Sequence, residues 1–163
     1  MAETVHLILK AAGSPIEGES TQTSLKREKT IECVQYKHSV KTQREGGSAH
    51  ATGRRQYEEL EIVKRIDRST PLLMKALTEN TELEATFMFY RPNPAGDGTT
   101  EQFYTVVLKK ARISAIEQYS PDVFEPAKTP IPPFEKVRFV FGHINWTYTN
   151  GGVQHEDDWA ASK

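Results

Sequence analysis

The chain has 163 residues, 21 Lys and Arg against 22 Asp and Glu, and a formal net charge of -1. That length suits one domain, and the charge balance gives no overall field to hold nucleic acid by counterion release. Apolar residues make up 37%; with the glycines counted in place of the tyrosines the share is about 39%, against roughly 45–50% in ordinary globular chains, so much wet surface per unit of core is expected.

The segment from Thr4 to Lys10 reads as a first strand, and Ala11 to Ser24, with Gly13, Pro15 and Gly18, as a loop. Lys29 to Lys41 alternates. Ile31, Cys33, Gln35, Lys37 and Ser39 share one phase, and Glu32, Val34, Tyr36, His38 and Val40 the other. This predicts a single strand, buried on one side and wet on the other. Gln43 to Gly53, rich in glycine and small residues, is expected to be a flexible loop. Gln56 to Asp67 reads as a strand with Leu60, Ile62 and Ile66 in phase. A short helix over about 70–79 follows, with Ser69 or Thr70 as N-cap, Pro71 at the first helical position and Asn80 at its end.

Thr81 to Arg91 alternates with Leu83, Ala85, Phe87 and Phe89 on one side, and Pro92 to Thr100 is a turn-rich connection. Glu101 to Tyr119 is too long for a straight strand, so a bulge near Lys109–Ala111 is expected. Ser120 to Pro133 carries five prolines and reads as an irregular connection. Phe134 to Thr149 is a strand pair with Val137, Phe139 and Phe141 in phase and a bend at Gly142. Residues 151–163 read as a polar tail behind a single domain over 1–150. The fold class is therefore mainly β, a closed barrel or two-sheet sandwich of antiparallel strands with one short flanking helix.

Function classes narrow in turn. The N-terminus has no basic region or sufficiently long apolar run for a Sec leader, and no stretch is long enough to span a bilayer as a helix. Synthesis in the cytoplasm and no membrane insertion are expected. One cysteine, Cys33, excludes an internal disulfide. Ser48 and His50 lie on the glycine-rich loop with nothing to rigidify a catalytic pair, and no nucleophile elbow or phosphate loop is present. His155 to Asp158 is acidic but consecutive, better suited to a solvated tail than to convergent metal ligands. The expectation is no enzyme, no metal and no cofactor.

The order of these features resembles a known family. A short strand is followed by Gly18-Glu19-Ser20, the strand Lys29 to Lys41, a glycine-rich loop, a further strand, and Asp67-Arg68-Ser69-Thr70-Pro71-Leu72-Leu73 entering the helix. Over about residues 4–150 this resembles the haemolysin-coregulated protein (Hcp) family of type VI secretion systems. The resemblance implies hexameric rings that stack into a hollow tube, partners in sheath and spike proteins, small effectors in the lumen, and secretion without a cleaved signal peptide. It implies that Gln35, Lys37 and Ser39 face the lumen while Val34, Tyr36 and His38 pack inward. It implies a ring-stacking loop comprising Gln43, Arg44, Glu45, Gly46, Gly47, Ser48 and His50. A monomeric β-barrel binding a ligand among Phe87, Phe89, Phe139 and Phe141 is the alternative, and a β-rich hydrolase is a third reading.

Overall fold

The computed structural model describes residues 3–44, 46 and 49–159, with only the backbone at 51 and 52. The strands are β1 (Thr4–Ala11), β2 (Ser14–Ile16), β3 (Ile31–Lys37), β4 (Val40–Arg44), β5 (Ala51–Tyr57) and β6 (Leu60–Arg65). Helix α1 (Thr70–Thr78) precedes β7 (Leu83–Pro92), β8 (Thr100–Tyr119), β9 (Phe134–Val140), β10 (His143–Tyr148) and β11 (Val153–Asp158). All strand pairings are antiparallel. The order β8-β7-β1-β3-β6-β9 returns to β8 through a β8–β9 ladder, so six strands close a barrel; β10 and β11 extend it from the first half of β8. Closure leaves fewer unpaired edges among strands with one wet face.

The closure depends on β8. Its first half pairs with β7 and β10, and Arg112 to Tyr119 pairs with β9. Between the halves Lys110 takes φ +53°, the expected irregularity, and the strand turns a barrel corner there. Gly142 fits against that corner. Its N–H donates to the carbonyls of Lys109 and Lys110, and a Cβ at this position would sit 3.2 Å from the Lys110 Cβ.

The interior follows strand alternation. Leu7, Leu9, Ile31, Leu60, Ile62, Phe87, Leu108, Val137 and Phe139 are buried together. Phe87 and Phe139 meet edge to face at 5.8 Å, so two of the four rings that the alternative reading placed around a cavity pack against each other. Helix α1 packs on β8 through Leu73 and Ala76, spaced to share one face. Neither Ser69 nor Thr70 caps it with a side chain. Instead the Asp67 carboxylate accepts from the Ser69 N–H at 2.9 Å, and Thr70 turns inward. Asn80, at φ +51°, ends the helix. The Thr81 N–H reaches the Ala76 carbonyl and the Asn80 N–H that of Leu77, a Schellman arrangement.

Four expectations are corrected. The strand Lys29 to Lys41 is two strands, and β3 carries a bulge between Cys33 and Gln35. The extra residue shifts the phase, so Ile31 and Cys33 point inward with Tyr36, while Val34 turns out and is 53% exposed. The two ends of the glycine-rich loop, Gln43–Arg44 and Ala51–Gly53, are strand and belong to a hairpin, β4 against β5. The polar tail is, over Val153–Asp158, the strand β11 along β10; its charges lie on an edge strand, where they block further pairing. Ile66, read in phase with Leu60 and Ile62, lies past the end of β6 and is exposed.

A second layer covers the outer face of β1 and β7. The turn at Ser24–Lys26 lets the Tyr90 hydroxyl donate to the Leu25 carbonyl at 2.8 Å, and Arg27 lies over the Tyr90 ring. Beneath it, His6 is fully buried. Thr30 donates its hydroxyl proton to the Arg27 carbonyl, so it accepts from His6 Nδ1–H at 2.9 Å, and Nε2 is left unprotonated and without a partner. Burial lowers the His6 pKa below 6.5; Glu32 opposes that shift and Arg27 adds to it. Because the folded value is the lower one, the unfolded chain takes up a proton that the folded chain refuses as pH falls through and below 6.5. Thermal stability is expected to decline from pH 7 toward pH 5, with a shallower slope in His6→Gln; equal slopes by scanning calorimetry would contradict the assignment.

Candidate functional site

Two surfaces carry the residues singled out from sequence. The first is the outer face of β3, β6 and β9. Strand alternation turns Gln35 and Lys37 outward from β3, and Ser39, just past it, is exposed as well. On the neighbouring strands Glu61 and Arg138 are register partners, and the Arg138 Nε donates to Glu61 Oε2 at 3.3 Å. Lys41 and Glu58 add an exposed pair at 3.3 Å. The face is polar and of mixed sign. Exposed pairs of this kind contribute little stability, about 0–1 kcal/mol, so the charges are not explained by the fold. Tyr36 packs inward against Phe87 and Phe89, at 5.4 and 4.9 Å, and its burial pushes the phenol pKa well up. His38 is half-buried, edge-on to Phe141 at 5.5 Å, and Val34 is not inward as expected.

The second surface is the β4–β5 hairpin. Its two strands form a sheet of their own, separate from the barrel. Gln43 and Arg44 end β4, Gly46 takes φ +48° in the turn, and His50 is exposed before β5. Glu45, Gly47 and Ser48 lie outside the described residues. Every described side chain of β4 is exposed, as in an arm rather than a core strand.

The hairpin's base is clamped in a way the sequence reading missed. Asp157 on β11 is 4% exposed. Its carboxylate accepts from the Arg55 Nε, from the Arg55 Nη2 at 3.1 Å and from the Tyr57 hydroxyl at 2.5 Å. Arg55 also donates to the Asp158 carbonyl, and Arg54 to that of Trp159. Burial and the bond to Asp157 push the Tyr57 phenol up to about 12, and the same carboxylate raises the Arg55 guanidinium pKa. The four consecutive residues once weighed as metal ligands diverge with the strand: His155 stacks on Trp146 at 5.8 Å, Glu156 approaches His143 at 3.4 Å, and Asp157 holds Arg55.

A further missed feature lies inside the barrel. Lys64 and Glu135, both 0% exposed, are register partners on β6 and β9, with Nζ to Oε1 at 2.6 Å. The signal was present. Lys64 stands in core phase with Leu60 and Ile62, and Glu135 with Val137 and Phe139. Opposite charges in core phase on two strands require each other.

Among the described residues neither surface assembles a nucleophile with a base and an orienter; both present arrays of polar side chains suited to contact. Comparison with known proteins agrees. The family described as Type VI secretion system effector, Hcp, matches residues 8–148. A Pseudomonas aeruginosa relative named Major exported protein is 34% identical over 125 residues, 76% of this chain and 72% of that one. The solved Hcp1 of E. coli EAEC 042, an engineered double mutant, has a TM-score of 0.83 at 27% identity, covering 97% of this chain and 99% of that one. The secreted Hcp3 from Pseudomonas aeruginosa shares the fold, with a TM-score of 0.76 at 24% identity over 98% of this chain and 100% of its own. The chain belongs to the Hcp family, the secreted tube proteins of type VI secretion systems, and its role is structural rather than enzymatic.

Proposed function

We propose that the protein forms hexameric rings that stack into a hollow tube, with Gln35, Lys37 and Ser39 on the lumen wall and the β4–β5 hairpin reaching the next ring. The observation that carries this reading is the hairpin: a self-paired arm whose β4 side chains are exposed wherever described, fastened at its base by a buried carboxylate. A flexible surface loop needs no such anchor. An arm that must meet a neighbour gains from one, since less ordering entropy is lost on contact. The mixed-sign outer face of β3, β6 and β9 gives a lumen that holds small effectors without repelling either charge. Near-zero net charge favours closing six copies into one ring, because strongly like-charged copies would repel. The sheath and spike of the secretion machine are the further partners, and export follows cytoplasmic assembly by expulsion.

The test separates the two levels of assembly. Replacing Gly46 and Gly47 together by Glu is expected to leave the native mass at six subunits and to lower the stacked fraction in sedimentation at least tenfold. Unchanged stacking would remove the hairpin from the ring–ring contact, and a monomeric wild-type chain would remove the ring.

A further inference from the structure

The outer face of β3, β6 and β9 changes character along its strands. Near the hairpin, Lys37, Glu61 and Arg138 form one row in which opposite charges stand side by side. Farther along, the same strands turn out Val34, Val63 and Phe134. With Ile131 and Pro132 of the β8–β9 connection these line a mainly apolar depression of about 400 Å³. Val34 belongs to it because the β3 bulge turned it out. Val63 is the floor: it stands in outward phase between Glu61 and Arg65, yet is only 9% exposed. Tyr119 continues the apolar surface, its ring 5.3 Å from that of Phe134.

Two cations, Arg65 and Lys136, complete the lining. Neither forms an ion pair among the described residues. Glu117, the register partner of Lys136 on β8, lies outside the lining. The barrel's own charges in this region, Lys64 and Glu135, are satisfied by each other inside, so the two outer cations are free to meet a ligand.

The depression defines its occupant in three ways. Strands β6 and β9, which carry most of it, are paired on both sides, so no free edge takes an added strand and recognition goes through side chains. The volume is at the lower end of the roughly 300–1,000 Å³ of binding pockets, room for one large apolar side chain and its flanks rather than a folded surface. Arg65 faces Phe134 in register, and Lys136 stands two residues beyond Phe134, a diagonal of about 7–8 Å. Two residues of extended chain span about 7 Å. Carboxylates on either side of one apolar residue therefore reach both cations while that residue enters the depression.

We infer that this groove binds an extended acidic–apolar–acidic segment of the exported cargo. One leucine, isoleucine or phenylalanine side chain seats on Val34, Val63 and Phe134, and its neighbouring carboxylates meet Arg65 and Lys136. The inference rests on the reading of this face as the lumen wall and names what that wall recognises. Each subunit contributes one groove, so six individually weak sites in a ring act together on a cargo that presents several such segments.

The experiment uses the full chain and fluorescent peptides of sequence Gly-Ser-Glu-Phe-Glu-Ser-Gly. In anisotropy titrations one peptide is expected to bind per subunit. Replacing its Phe by Gly, or both its Glu by Lys, should weaken binding at least tenfold. Arg65→Glu with Lys136→Glu should exchange the preference, taking the Lys peptide at least tenfold better than the Glu peptide, which a merely damaged fold would not do. Lys136→Glu alone should move the same ratio in the same direction, and Val34→Asp, at an exposed site, should weaken both peptides. Equal binding of the Phe and Gly peptides, or an unmoved ratio in both charge variants, overturns the inference. So does at least tenfold tighter binding by Phe124→Ser, because the occupant would then be the chain's own exposed Asp122-Val123-Phe124-Glu125 turn. The ring reading is tested separately. Peptide fixed to beads through a short linker should capture free subunits but not closed rings, whose lumen it cannot enter. Capture of closed rings places the groove outside the lumen and overturns the wall assignment while peptide binding stands. A wild-type chain that stays monomeric at all concentrations overturns the ring itself.

Discussion

Replacing Lys64 by Met is expected to lower the unfolding free energy by about 3–5 kcal/mol, the usual cost of removing one partner from a buried ion pair. Lys64 Nζ donates to Glu135 Oε1 at 2.6 Å, to the Arg65 carbonyl at 2.9 Å and to Asp67 Oδ1 at 3.0 Å. Without it the Glu135 carboxylate stays buried with only Thr70, at 3.0 Å, and Gln118, at 3.3 Å, as described partners. Against a total of roughly 5–15 kcal/mol for an ordinary domain, that loss brings the chain close to unfolding. The double variant Lys64→Met with Glu135→Leu is expected to recover more than half, since two apolar side chains leave no charge stranded. Urea titration distinguishes the outcomes: a single-variant cost below about 1 kcal/mol, or a double variant worse than the single, would show that the pair is not what holds this site.

The reason to bury such a pair is register. The inward residues of β6 are Leu60 and Ile62, and those of β9 are Val137 and Phe139. A slip of two residues would keep every apolar side chain inside, so the apolar pattern alone does not forbid it. With Lys64 opposite Glu135, the same slip strands two buried charges. The outer face depends on that register too, since it sets Glu61 opposite Arg138.

Strand positions and the closed barrel were legible because alternation reports directly which face is buried, as at Leu83, Ala85 and Phe87. The helix was legible from Pro71 and its leucines. The bulge in β3 was not. Cys33-Val34-Gln35 contains no glycine, and an inserted residue leaves no local mark while reversing the phase of everything beyond it. That reversal is why Gln35 and Lys37 were read correctly as exposed, while Val34 was read as inward. The hairpin arm was hidden for a different reason: β4 buries no described side chain and β5 half-buries only Arg55 and Tyr57 among its described side chains, so polar, glycine-containing sequence looked like loop. The β11 strand was hidden by its charges, which suit an edge. The Asp157 clamp joins residues about a hundred positions apart, and pairing at that distance has no periodic signature.

The second large effect is expected at that clamp. Asp157→Ala removes the acceptor for two Arg55 N–H groups and for the Tyr57 hydroxyl. Each hydrogen bond to a charged group contributes about 1.5–3 kcal/mol, but the loss falls on the junction of β11 with β5 rather than on the barrel interior. Amide exchange in β4 and β5 should therefore accelerate at least tenfold, and by about a hundredfold if 3 kcal/mol is lost locally. Amides of β1, β6 and β7, whose ladders lie within the closed barrel, should change far less. Tyr57→Phe separates the contributions: it keeps the ring contacts to Phe141 and Trp159 at 5.4 and 5.1 Å and the Arg55–Asp157 pair, and is expected to cost only a fraction of the Asp157→Ala effect. If the arm serves ring stacking, Asp157→Ala should reduce stacked rings in sedimentation while the six-subunit mass persists, because the arm loses its direction and the barrel does not. Uniform acceleration of exchange across the whole chain would instead assign Asp157 to global stability, and the hairpin would then lose the anchor on which its role as a preset arm depends.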